Sequence, residues 1–433
     1  MASAVATHDR RETPLTLRHA AIVIVAGVLA TTLAQPQLLA RLPLQNLLKN
    51  ELHVSRADNA RFFFLAGLAW YFKPLAGILT DAFPLLGSRR KSYILTSCLL
   101  AVLCWVALIF TPHDYDKLLW VCIAINCFMV VASTVIGGYM VEVAQATSGS
   151  GRLTAIRQFV QQACYIINGP IAGYLASILF GWTAGVCGGV LFLLVPVTIL
   201  FLHERRVSIA STQLLSNAGR QLAKIGQART MWAAAGLMAL FYIAPGIVTA
   251  VLYRQQDVLH LDVQTIGFLQ LISGIGGVTA AVVYGWACRR LPLRTLLVVC
   301  LLAGTASNLI YLFYSSLLRA QVIEGLNGFG YTLAELALMD LAVRATPAGS
   351  EGLGFSLMMS VRNLALFGTD WYGSRLLDSY HWQFSWLVYS NASTTFLTVP
   401  LALLLPLALV AGKDAEIPEI LREAAVPRAA VED

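Results

Sequence analysis

Runs of apolar residues alternate along this chain with short polar turns, and each run is about 20 residues long, enough to cross a bilayer as helix. The runs predict spans at Arg18–Ala40, Arg61–Thr80, Lys91–Thr111, Leu118–Val143, Leu153–Phe180, Trp182–Leu202, Met231–Tyr253, Gln264–Cys288, Leu293–Tyr314, Leu318–Val343, Gly352–Tyr372 and Phe384–Ala411. A polar stretch, His203–Thr230, with Arg205, Arg206, Arg220, Lys224 and Arg229, divides them six and six. The expected organisation is a tail over 1–17, a bundle over 18–202, a linker over 203–230, a second bundle over 231–411 and a tail over 412–433. The fold class expected is an all-α polytopic membrane protein, twelve transmembrane helices in two six-helix bundles.

Composition agrees. The 433 residues are 58% hydrophobic and 12% charged, with mean hydropathy +0.69, whereas soluble domains carry about 25% charged residues. The net charge of +7 follows the basic loops, so it gives no reason to expect nucleic acid. Lys and Arg concentrate in alternate loops, which puts both termini in the cytoplasm of a cell inner or plasma membrane. The polar N-terminal 17 residues show no cleavage site, so the first span is expected to be retained. All 8 cysteines lie in or at the ends of spans and read as small packing residues. Neither disulfide nor metal is expected from them.

Charged side chains at membrane depth cost about 2.5–3.5 kcal/mol each on insertion scales, so they face protein or a wet cavity. Spans three, six, nine and twelve have charge-free interiors. The others carry Lys73, Glu142, Arg157, Glu324, Glu335, Asp340, Arg362 and Asp370. Arg157, Gln161 and Asn168 share one helical face, as do Glu324, Asn327, Tyr331 and Glu335. These stripes fit either a wet pathway or interhelical glue. On the pathway reading, Lys73, Arg157, Gln161, Asn168, Asn327, Tyr331 and Arg362 are the candidate substrate-binding residues. Glu335, Glu142 and Asp340 are the candidate proton-coupling residues, and Glu142 and Asp340 are also candidate gate partners of Arg152, Arg157 or Arg344. Lys73 is a buried cation beside Trp70, Tyr71 and Phe72, expected to meet either an anionic ligand or a resident acid.

One stretch carries a recognisable pattern. Trp70-Tyr71-Phe72-Lys73-Pro74-Leu75-Ala76-Gly77 runs on to Asp81, Gly87 and Arg89-Arg90-Lys91. It resembles the loop signature of major facilitator transporters, lengthened by two residues. With Lys73-Pro74 inside the apolar run, and with Leu39-Ala40-Arg41-Leu42-Pro43 and Pro347-Ala348-Gly349-Ser350-Glu351 elsewhere, it resembles the folate–biopterin transporter family within that superfamily. The resemblance implies a gate made by Asp81, Arg89, Arg90 and Lys91 at the cytoplasmic ends of helices. The two halves also echo each other: Met140-Val141-Glu142 returns as Met339-Asp340, and Ala155-Ile156-Arg157-Gln158 as Ser360-Val361-Arg362-Asn363. One departure stands out. The family pattern places an aspartate five residues before Glu142, where this chain has Gly137.

The expected function is secondary active transport of an organic anion by alternating access. The resemblance points to a folate or pterin, with a proton as coupling partner and the lipid bilayer as surroundings. The alternative is proton-coupled export of another small metabolite. A membrane enzyme or receptor fits less well. All 7 histidines (His8, His19, His53, His113, His203, His260, His381) fall in loops or at span ends, and no catalytic set or cofactor motif appears at depth. The Gly274-Ile275-Gly276-Gly277 run lies inside a span and follows no strand, so it is not a nucleotide loop.

Overall fold

The structure, a computed structural model, describes residues 14–88, 90–147, 150–202, 204, 212–288, 290–347 and 351–411. Arg89 and most of both tails lie outside the described residues, as do the side chains of Asp81 and Glu142.

Proline and glycine decide where the apolar runs break. The first run is split into α1 (Pro14–Leu33) and α2 (Arg41–Asn50) around Gln35-Pro36, since proline removes a donor and clashes with the preceding turn. The second divides at Gly67 and Phe72 into α3 (Arg56–Ala66), α4 (Leu68–Tyr71) and α5 (Lys73–Ala82), with Pro74 in the first turn of α5. α6 (Lys91–Phe110), α7 (Tyr115–Thr147) and α8 (Ser150–Ala176) are continuous, and α8 accommodates Pro170. α9 (Phe180–Phe192) and α10 (Leu194–Phe201) complete the first half, and α11 (Thr212–Gln227) lies in the linker. The second half opens with α12 (Arg229–Tyr242) and α13 (Val248–Asp257), separated at Pro245-Gly246 as α1 is from α2. It continues through α14 (Val263–Ala287), α15 (Leu293–Leu309) with a 3-10 turn over Ile310–Phe313, α16 (Leu317–Ala345), α17 (Glu351–Ser379), α18 (Phe384–Leu403) and α19 (Leu407–Val410). Joined at their bends, these helices follow the order of the predicted spans.

Five stretches are long and apolar enough to cross a membrane unaided: Lys91–Phe110, Tyr115–Met140, Phe180–Phe201, Val263–Ala287 and Leu293–Phe313. The remaining rods are broken at turns or carry polar and charged residues, as α8, α16 and α17 do. Burial separates into two main cores. One joins α1 to α10 around Phe62, Phe63 and Trp105, and the other joins α12 to α19 around Leu297, Leu338 and Leu341.

The turns near residues 53, 113, 178, 260, 315 and 381 gather at one end of the rods, called here the far end; the linker and the 83–90 turn mark the near end. His53 and His260 adopt left-handed backbone (φ 51 each), and Ser55 and Asp262 then cap the next helices. The string Leu52-His53-Val54-Ser55 thus returns as Leu259-His260-Leu261-Asp262, a repeat of structure that the sequence comparison of the halves passed over.

At the far end the halves are bonded together. Lys49 pairs with Asp257, and Arg56 lies 3.8 Å from Asp378. The Tyr253 hydroxyl donates to the Val54 carbonyl (3.0 Å), and Gln264 Nε2 to Ser177 Oγ (3.1 Å). α8 and α14 meet backbone to backbone at Gly169, Gly173 and Gly267. A Cβ on Gly169 would stand 2.4 Å from the Gly267 oxygen, and one on Gly267 would stand 2.4 Å from the Gly169 oxygen. Only glycine permits that approach. The far end is closed.

Candidate functional site

Beyond the far-end contacts lie three of the candidate cations, Lys73 and Arg157 in the first half and Arg362 in the second. In the first half, Asn126 is fully buried on α7 and organises the break in the second rod. Its Nδ2 donates to the Ala66 carbonyl (2.8 Å), and its Oδ1 accepts from Trp70 Nε1 (2.8 Å). Lys73, the first residue of α5, sits with Nζ 5.2 Å from the Trp70 ring centroid and donates to Ser133 Oγ (3.3 Å). No acid pairs with it among the described residues. Arg157, half-buried on α8, lies within electrostatic reach of Lys73. The three aromatics expected beside Lys73 divide. Trp70 stays under the ammonium, Tyr71 is buried and donates to the Phe64 carbonyl (2.8 Å), and Phe72 is 57% exposed. The helix break at Phe72 explains the split, because the ring no longer follows the register of α4.

In the second half, Arg362 on α17 is ion-paired through Nη2 with Glu335 on α16. Tyr242, at the end of α12, closes a triangle: its hydroxyl donates to Glu335 Oε1 (3.1 Å) and accepts from Arg362 Nε (3.1 Å). Each partner of the pair keeps 22% of its side chain exposed, so the pair is buried but still reachable. Tyr331 and, from the first half, Tyr165 lie within electrostatic reach of both Arg362 and Glu335. The halves touch close by, where Ser360 Oγ meets the Trp70 carbonyl at 3.5 Å.

The remaining candidates fall elsewhere. Asn327 donates to the Ser307 carbonyl (3.2 Å) and reaches Asn308 Oδ1 (3.5 Å), so it ties α16 to α15 within the second half. Asn168 is buried at the α8–α14 seam with its carbonyl oxygen unbonded, and Gln161 is half-buried one turn beyond Arg157. Asp340 is held by Arg344 (2.9 Å) and by the Tyr284 hydroxyl (3.0 Å), near the near end. Of the basic trio, Arg90 is buried against Gly138 of α7, while the Lys91 ammonium donates to the Ile199 and Leu202 carbonyls (3.0 Å each) at the end of α10. Their backbone N–H groups, with the Ser88 hydroxyl, converge on the Glu204 carboxylate at 2.5 to 3.1 Å. These described contacts stay within the first half and the start of the linker, and none reaches the second half. The Arg89 gate residue, and the side chains of Asp81 and Glu142, lie outside the described residues.

Sequence reasoning missed Tyr242, Tyr165 and Ser133. Tyr165 falls eight residues after Arg157, on the face already drawn through Gln161, and period alone was enough to find it. Tyr242 carries no such signal, because it reaches the site only through the bend at Pro245-Gly246. The contact between Arg41, beside the bend of the first rod, and Asp370 of α17, which lies against the Gly246 bend of the seventh (3.4 Å), was missed for the same reason. Asp370 also accepts from the backbone N–H (3.0 Å) and hydroxyl (2.7 Å) of Thr249. Asp370→Ala strands the Arg41 guanidinium and is expected to cost about 3–5 kcal/mol, read as a fall in melting temperature in detergent. Unchanged melting would remove this pair from the closure of the far end.

No group of three or more metal-ligating side chains occurs among the described residues. The fold is that of major facilitator transporters. A D-xylose–proton symporter superposes with TM-score 0.66 at 11% identity, over 90% of this chain and 96% of that one. The nucleoside transporter NupG gives 0.62 at 11% identity, over 91% and 98%. In sequence, the folate-biopterin transporter of Synechocystis sp. is 24% identical over 422 residues, 92% of this chain and 81% of the relative. The probable folate-biopterin transporter 5 of Arabidopsis thaliana is 25% identical over 345 residues, 72% and 67% of the two chains. The chain is an integral membrane protein, and with residues 36–416 matching the family as a whole, it belongs to the BT1 family.

Proposed function

We propose that this protein is a secondary active transporter of an organic anion, working by alternating access between its two bundles. The observation that carries the proposal is a surplus of buried cation: among the described residues Arg362 has a carboxylate partner, Glu335, while Lys73 and Arg157 have none. Such a surplus of buried cation favours a ligand that brings negative charge. The names of the BT1 relatives support a folate or pterin, whose flat ring suits the Trp70 and Tyr242 faces and whose carboxylates suit the cations. The ligand carboxylate competes with Glu335 for Arg362, and a Glu335 released from its partner takes up a proton. Anion and proton are thereby linked through one guanidinium. The organisation into bundles over 18–202 and 231–411 around a linker over 203–230, with both termini in the cytoplasm, makes the near end the cytoplasmic one.

A thermal-shift screen of purified protein against folates, pterins and unrelated dicarboxylates tests the ligand class, since a ligand that binds only the folded state raises the melting temperature. Uptake of the strongest stabiliser into proteoliposomes then tests transport. A cleft that no anion stabilises overturns the proposal. A second reading, export of a different metabolite, draws on Gly137. A Cβ there meets nothing within 4 Å, so no neighbouring side chain fills the place of the family's aspartate. Stabilisation by dicarboxylates but not by pterins would favour it.

The gate is proposed to involve Asp81 with the basic turn. Asp81→Asn is expected to slow transport strongly while ligand affinity stays within a few-fold, because a residue outside the cleft biases the state equilibrium and not the binding step. Transport at the unmodified rate in that variant would take Asp81 out of the mechanism.

A further inference from the structure

Glu324 plays no part in the cleft. It lies on α16 seven residues from the far end, is 9% exposed, and has no cation within 4 Å among the described residues. The other acids of the spans whose side chains are described, Glu335, Asp340 and Asp370, each have an arginine. Glu324 instead sits among hydrogen-bond donors. The Tyr314 hydroxyl donates to Oε1 (3.0 Å) and the Tyr311 hydroxyl to Oε2 (3.3 Å), while Gln255 Nε2 donates to the Tyr314 hydroxyl (2.7 Å) and approaches Oε1 at 3.4 Å. Arg254, next to Gln255, is turned away to the Tyr314 carbonyl (3.0 Å) and the Phe384 ring. The rest of the surrounding cluster is apolar: Val251, Leu269, Ile323 and Val388.

Gln255 belongs to α13, and α13 has two working faces. Thr249, Tyr253, Gln256 and Asp257 all bond towards the interface: Thr249 to Gln45 and Asp370, Tyr253 to Val54, Gln256 to Asn46 and Asp257 to Lys49. Val251 and Gln255, one turn apart, face the Glu324 cluster. The helix that closes the far end is thus fastened from behind to a buried carboxylate.

We propose that Glu324 is a second proton-binding site, separate from the cleft, whose ionised form latches α13 and whose protonated form releases it. The chemistry follows from the donors. An ionised carboxylate accepts from all three groups; a protonated one donates to a tyrosine oxygen instead, so that tyrosine's own hydroxyl proton loses its acceptor, and on Oε1 the new bond competes with Gln255 for the Tyr314 oxygen. Gln255, the one of the three on the closing helix, reaches Oε1 only at 3.4 Å and is tied to the carboxylate chiefly through the Tyr314 hydroxyl. A buried charge without a counter-charge is held only by such bonds, so the cluster is poised to change state. A cleft of about 100 Å³ lined by Tyr253, Arg254, Asp257 and Phe384 flanks α13, and Arg254 in its lining bonds the Tyr314 carbonyl, one residue removed from the cluster. Acid on the far side therefore favours opening there. The proposal rests on the transport reading for its purpose, but its test does not need a substrate.

Hydrogen exchange of residues 248–257 in nanodisc-embedded protein reads the latch directly, at about pD 5.5 and about pD 8 after correction for the intrinsic rates. The unmodified chain is expected to exchange roughly ten-fold faster in α13 at the acid pD, while α15 stays unchanged. Glu324→Gln is expected to be fast at both. Tyr314→Phe, a second variant that keeps the acid and removes a donor, is expected to raise exchange at the higher pD towards the acid value. Protection of α13 that does not change with pD in the unmodified chain overturns the proposal, as does a Glu324→Gln or Tyr314→Phe protein with the unmodified response. Failure of every anion in the proteoliposome assay, with the latch response intact, would instead remove transport and leave the proton site standing.

Discussion

Glu335→Gln is expected to abolish accumulation driven by a pH gradient while exchange of substrate for substrate continues. Glutamine preserves the shape of the side chain and can still accept from the Tyr242 hydroxyl, now 3.1 Å away, so the triangle with Arg362 keeps its outline. What is lost is the group that can alternate between a guanidinium partner and a proton. Exchange needs only that the cleft bind the anion and that the bundles change state, neither of which requires net proton movement. Accumulation needs the proton. A gradient of one pH unit corresponds to about 1.36 kcal/mol per proton, enough to hold about a ten-fold concentration ratio of substrate. In the variant that ratio falls to about one, measured with radiolabelled substrate in proteoliposomes with an imposed gradient. Accumulation that survives would move coupling to Asp340 or Glu142. The Glu324 latch changes a different observable, the protection of α13, so the two carboxylates can be examined separately.

Lys73→Met carries the second large expectation. An ammonium at this depth that was half of a resident ion pair would leave a stranded carboxylate on substitution, at a cost of about 3–5 kcal/mol. Its described partners are instead Ser133 Oγ and the Trp70 ring, neither of which bears a charge. Methionine fills a similar volume, and the serine hydroxyl can turn to another acceptor. The variant is therefore expected to fold with nearly unchanged melting temperature. Its affinity for the anion should fall by a factor of roughly ten to several hundred, the loss of a charge-assisted bond of about 1.5–3 kcal/mol. Melting temperature and binding affinity measured on the same preparation decide the matter. A large fall in melting temperature without ligand, with affinity intact, would assign Lys73 to the scaffold.

Most of the architecture was legible because span length and the scarcity of charge are imposed by the bilayer, and both are visible residue by residue. The charged residues of the cleft were legible for the same reason: Lys73, Arg157, Glu335 and Arg362 stand out against apolar runs. Their partners were not. That Arg362 finds Glu335 depends on how α16 and α17 cross, and that Tyr242 joins them depends on where α12 stops. Neither is a periodic property of one segment. Amides were the least legible. Asn126, Asn168 and Asn327 look alike in sequence, yet one organises a helix break, one lies at a seam and one ties two helices of the same bundle. Hydrogen-bonding capacity is written in the residue, but its direction belongs to the packing.

The glycine seam between α8 and α14 makes the first half a lever. Gly169 and Gly173 bring the fulcrum close to the far end, beside Pro170, while α8 begins at Ser150. The arm from Gly169 to that end is 19 residues, about 28 Å at 1.5 Å per residue. A tilt of about 10° at the seam then sweeps the near end through about 5 Å, more than the thickness of an aromatic ring. At these glycines the crossing point is bare backbone, with no side chain between the two helices. Arg157, partway along the arm, is carried through about 3 Å by the same tilt, so under the proposed transport reading its hold on an anion would loosen as the near end opens.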